Sequence, residues 1–60
     1  MKKERVQEIL DKMEQGKYTG FSISQITDNI AWLWKWRKIT REEMERMTEQ
    51  ACIIIEMKVY

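Results

Sequence analysis

The 60-residue sequence predicts an all-α protein, a small three-helix bundle built on an antiparallel helical hairpin. Three observations lead there. The chain has no proline and is rich in Glu, Lys, Arg, Gln and Met, residues that favour helix from end to end. Glycine punctuates the chain at two places only, Gly16 and Gly20. Finally, two stretches, FSISQI and ITREEM, each carry a complete helix start signal. No internal repeat, low-complexity tract or linker interrupts the pattern, so one helical domain over residues 1–60 is expected.

The first helix is expected over about residues 3–15. Val6, Ile9, Leu10 and Met13 fall at i, i+3, i+4, i+7, the spacing of one helix face. Gly16 follows where a left-handed cap closes a helix. After the loop KYTG, Ser22 is placed to cap the second helix, and Gln25 to bond back to it as a capping box. Phe21 and Ile26 make the accompanying hydrophobic staple. The same grammar recurs with Thr40, Glu43, Ile39 and Met44. The second and third helices are therefore expected over about residues 23–37 and 41–58. So short a connection forces antiparallel neighbours.

The segment KITREEMERM resembles the hairpin turn of short bacterial C-terminal helical modules that carry an Ile-Thr-x-Glu-Glu turn. The glycine that those modules usually place before the turn is missing here. The likeness rests mostly on helix-capping grammar and amounts to no family assignment.

At about 100° per residue, Ile23, Ile26, Ile30 and Leu33 line one face of the second helix, with Trp34 at its edge. Met44, Met47, Ala51, Ile54 and Ile55 form the matching stripe on the third, and the first helix covers the seam. Trp32 and Trp36 stand apart, turned roughly 100–140° from the core direction. Ile53, Met57 and Tyr60 are a similar surplus on the third helix. A helix end that is apolar all round is normally buried from more than one side. Tryptophan, methionine and isoleucine are also what interface cores are made of. The expected partner-binding residues are thus Trp32, Trp36, Ile53, Met57 and Tyr60, and the expected partner is a protein, most simply a second copy in a homodimer.

A chain of this size buries only about 60% of its unfolded surface, and holds about 3–5 kcal/mol of stability unless stapled or partnered. Cys52 is the single cysteine, which excludes an internal disulfide, and no histidine is present to join it in a structural zinc site. Oligomerisation or binding to a partner is the remaining route. The 43% hydrophobic and 35% charged content is that of an amphipathic protein rather than a disordered tail. Neither a signal-peptide pattern nor an apolar run of about 18 residues is visible, so a reduced, cytoplasmic setting is expected.

WKWRKITR sets Lys35, Arg37, Lys38 and Arg41 among aromatics, the pattern by which single strands of nucleic acid are stacked and neutralised. A membrane surface would use the same pairing. Against both, these cations close the second helix and face Glu42, Glu43 and Glu45 at the start of the third, where helix dipoles favour each sign. Eleven bases against ten acids leave a net charge of +1, so no global field draws phosphate. A nucleic-acid-binding module using residues 34–41 stays as the alternative. A helix-turn-helix fails where the uninterrupted WLWKW replaces the expected turn.

Catalysis is not expected. The commonest acid–base group is absent with histidine, and no glycine loop for phosphate exists. Cys52, between Ala51 and Ile53, is expected to be an inert thiol, buried or half-buried. Tyr18 and Thr19 are read as loop residues packing over the helix ends. No cofactor or metal is expected. A regulatory or accessory protein of a bacterial or mobile genome fits the size.

Overall fold

The computed structural model describes residues 1–57; Lys58, Val59 and Tyr60 lie outside the described residues. It contains α1 (Lys3–Glu14), α2 (Ile23–Lys35) and α3 (Arg41–Met57), all three in mutual contact, in an all-α three-helix bundle. Lys3 Nζ lies 3.1 Å from Glu43 Oε2, and Gln7 Nε2 donates to Gln50 Oε1 at 2.8 Å. Both bonds advance in the same direction along α1 and α3, so the two run parallel, and α2 runs against both.

Both start signals close as their sequences require. Gln25 N donates to Ser22 Oγ at 3.2 Å while Ser22 N donates to Gln25 Oε1 at 2.8 Å. Glu43 N donates to Thr40 Oγ1 at 3.1 Å, and Thr40 N to Glu43 Oε1 at 2.9 Å. Each box satisfies two backbone donors that a helix start leaves orphaned, and a lost cap of this kind costs about 1 kcal/mol.

The helix ends are more instructive. Gly16 closes α1 at φ 78, with Lys17 N bonded to Lys12 O and Gly16 N to Met13 O. This is the paired arrangement of a left-handed cap. The same pair recurs at α2, where Lys38 N bonds Leu33 O at 2.8 Å and Arg37 N bonds Trp34 O at 3.1 Å. Here the left-handed residue is Arg37, at φ 57. The second helix therefore ends at Lys35 rather than at position 37, because Arg37 leaves helical geometry to close the cap. An L-residue in that conformation carries about 1–2 kcal/mol of strain that glycine escapes. Arg37→Gly is accordingly expected to be more stable than Arg37→Ala, by about 0.5–1 kcal/mol. Both changes remove the guanidinium equally, so urea unfolding of the pair reads backbone strain alone. Equal midpoints would show that the turn carries none.

The core gathers the expected stripes. Val6, Ile9, Leu10 and Met13 of α1 meet Ile26, Ile30 and Leu33 of α2 and Met47, Ala51 and Ile54 of α3. Ile39, from the turn, is also buried, and Phe21, Ile23, Trp34 and Met44 pack against the edge. Ile55 does not join them. It is 45% exposed, because it is turned about 100° from Ile54 near the end of α3, beyond the cover of its neighbours. Cys52 is likewise exposed rather than buried or half-buried. Of residues 51–55 only Ala51 and Ile54 are buried, so one side of that apolar segment is covered and the rest faces outward.

Polar bonds hold α1 in place. Gln7 Nε2 also donates to Asp11 Oδ1 at 2.9 Å, and Gln50 Nε2 donates to the same oxygen at 2.9 Å, completing a clasp between α1 and α3. Arg5, Lys12, Arg41 and Arg46 form exposed pairs with glutamates along their own helices; such pairs contribute about 0–1 kcal/mol each. Glu43 is different in kind. The backbone N–H of Thr40, and then the Lys3 ammonium, hold its carboxyl below the ordinary glutamate range. A depressed folded-state value adds stability that is present above the unfolded value, about 4.3, and is lost as pH falls through the folded one. Glu43→Gln keeps an amide oxygen for the capping box but cannot titrate. Its acid unfolding limb below about pH 4.3 is expected to be shallower than that of the parent, measured by circular dichroism across pH. An unchanged limb would assign acid sensitivity elsewhere.

Candidate interaction surface

The antiparallel hairpin sends the C-terminal turn of α2 to one end of the bundle and that of α3 to the other. Trp32 and Trp36 are one turn apart, so their rings meet, with centroids 5.8 Å apart and planes inclined by 53°. They remain 51% and 55% exposed. A tilted pair at that separation is a favourable aromatic arrangement, so the two rings form one firm platform rather than two loose side chains. Trp34 points to the other flank, half-buried against the core with the Arg37 guanidinium 5.1 Å over its ring. Lys35 Nζ lies 5.9 Å from the ring of Trp36.

Ile53 and Met57 are also exposed, at 44% and 53%. They share a face of α3 one turn apart, but they do not join the tryptophans. Met57 lines a cleft of about 460 Å³ with Met13, Gly16 and Phe21, at the end where α1 finishes and α2 begins. α3 has 17 residues, and about 25 Å of helix axis separates its two ends. The expected partner-binding residues are thus divided between two patches, one on α2 and one on α3. Tyr60 lies outside the described residues.

The four cations named from the sequence are dispersed as well. Arg41 pairs with Glu45 at 3.2 Å. Arg37 covers Trp34 and Lys35 approaches Trp36, on different flanks of α2. Only Lys38 joins the cleft beside Trp32, a space of about 510 Å³ that also receives Lys2, Lys3 and Glu4 from the start of α1. The N-terminal ammonium donates to Asn29 Oδ1 at 3.2 Å and brings that segment against α2. Lys2 and Lys38 were not paired by sequence spacing, because 36 positions separate them. The parallel setting of α1 on α3 is what brings the two together.

Tyr18 stands in the loop at 94% exposure, and so does not pack over the helix ends. Thr19 Oγ1 accepts from Phe21 N at 3.3 Å and shapes the approach to α2. Among the described residues no group of three or more Cys, Asp or Glu side chains gathers as a metal site. None of the described helices is long and apolar enough to cross a membrane. Fold and surface together define a small three-helix bundle with two exposed apolar patches. Comparison with family models, with curated proteins and with solved structures gives no match.

Proposed function

We propose that this chain is a small non-enzymatic interaction module that binds protein, and that its first partner is another copy of itself. The carrying observation is the Trp32–Trp36 platform, two half-exposed rings held 5.8 Å apart. Tryptophan is the residue most enriched where binding energy concentrates, and a platform set by helix spacing loses little freedom when covered. Ile53 and Met57 give a second apolar surface. A core of eleven buried side chains among the described residues is small, and association would add to a stability of about 3–5 kcal/mol. The lack of histidine supports the non-enzymatic part of the reading.

Light scattering on a size-exclusion column, across a range of micromolar concentrations, tests the proposal. A mass that rises with concentration supports it; the mass of one chain at every concentration removes it. Titration with single-stranded oligonucleotides at low salt is the companion measurement. Quenching of the tryptophan fluorescence, relieved by added salt, would favour the nucleic-acid alternative. Arg37, turned over Trp34, and Arg41, paired with Glu45, stand away from the platform, and this supports the protein reading instead.

A further inference from the structure

The two patches differ in charge as well as in place. Lys2, Lys35 and Lys38 surround the tryptophan platform, all exposed and, among the described residues, without a salt-bridge partner. Lys3 in the same cleft is already held by Glu43, and Glu4 is the acid that remains. At the other end acids predominate on α3, and Lys17, in the cleft with Met57, is the base that remains. Residues 47–57 of α3 hold Glu49 and Glu56 and no lysine or arginine. Both glutamates are exposed, and among the described residues neither has a salt-bridge partner.

Two copies have three ways to cover apolar surface. Platform against platform sets lysines against lysines, and Ile53/Met57 against itself sets glutamates against glutamates. Like charges across an interface oppose association, whereas opposite ones direct it. Only the unlike pairing joins two apolar centres and two complementary charge sets. We infer, on the basis of the self-association proposed above, that the Trp32–Trp36 platform of one copy receives Ile53 and Met57 of a second, with Lys2, Lys35 and Lys38 facing Glu49 and Glu56. The space beside Trp32, bounded by Lys2 and Lys38, takes an apolar side chain flanked by a carboxylate. Since the patches lie on different helices, occupying one leaves the other open.

Complementation of two variants tests the pairing. Trp32→Ala/Trp36→Ala removes one patch and Ile53→Ser/Met57→Ser the other; circular dichroism confirms that each folds. Each alone is expected to be monomeric where the parent assembles. Their equimolar mixture is expected to associate at least about tenfold more tightly than either part, because one intact platform meets one intact aliphatic patch. A mixture no more associated than its parts overturns the inference, as does assembly of the Ile53/Met57 variant by itself. A parent that stays monomeric removes the self-association reading as a whole, which separates the two failures. Lys35→Glu/Lys38→Glu and Glu49→Lys/Glu56→Lys repeat the design at exposed positions outside the core, with circular dichroism again confirming the fold. Their mixture is likewise expected to recover about tenfold, and no recovery counts against the unlike pairing.

Discussion

Leu10→Ala is expected to unfold a large part of the protein at room temperature. Leu10 is fully buried at the centre of the α1 stripe, with Val6 and Met13 a turn to either side. Truncating such a side chain costs about 2–5 kcal/mol, because the transfer energy is lost and the space closes only in part. A chain of this size has about 3–5 kcal/mol to lose. At about 4–8 °C per kcal/mol the midpoint should fall by at least about 8 °C. Thermal melts by circular dichroism, at concentrations low enough to exclude assembly, read the change directly. Leu10→Met, which nearly conserves volume, should stay within about 1.5 kcal/mol of the parent. A melt of Leu10→Ala close to that of the parent would mean that α1 does not cover the hairpin.

Trp32→Ala is expected to do the opposite, leaving the fold and removing the assembly. The ring is 51% exposed, so its loss opens no enclosed cavity. Its removal also dismantles the tilted contact with Trp36 and one wall of the cleft that holds Lys2 and Lys38. Truncating a central tryptophan of an interface costs about 2 kcal/mol or more, roughly 30-fold in dissociation constant. Sedimentation or light scattering should show that weakening while the melting curve at low concentration barely moves. A variant that associates like the parent would place the contact elsewhere on the surface. A variant that melts like Leu10→Ala would make Trp32 a core residue after all.

Local grammar carried most of the fold into the sequence. Ser22 with Gln25 and Thr40 with Glu43 identify helix starts because each box involves only four consecutive residues. Gly16 marks the end of α1 for the same reason: the left-handed cap is a local event, and glycine is its usual occupant. The end of α2 is harder to see, since Arg37 takes a conformation that its side chain does not advertise. Periodicity placed Ile54 and Ala51 inside but also took in Ile55, because a helical wheel cannot tell where neighbouring helices stop covering the third. The candidate surface was legible as a set of residues and not as a shape. Trp32 and Trp36 were visible as a pair, being one turn apart. Their company, Lys2 and Lys38, depends on α1 lying alongside α3, and their distance from Ile53 and Met57 depends on the antiparallel hairpin. Those are facts of topology, and no local pattern records them.

The clasp of Gln7, Asp11 and Gln50 does something that the apolar stripe beside it cannot. Val6, Leu10 and Met13 repeat nearly every turn, so a slide of α1 by one turn along its groove would still set aliphatic against aliphatic. The two hydrogen bonds of the clasp that cross between the helices, Gln7 to Gln50 at 2.8 Å and Gln50 to Asp11 at 2.9 Å, tolerate no such slide. They work as a vernier, choosing one axial setting among several that greasy contact alone would leave nearly degenerate. That setting brings Lys2 level with Trp32. The cleft beside the tryptophans is thus gauged by Gln7 and Asp11 of α1 together with Gln50 of α3.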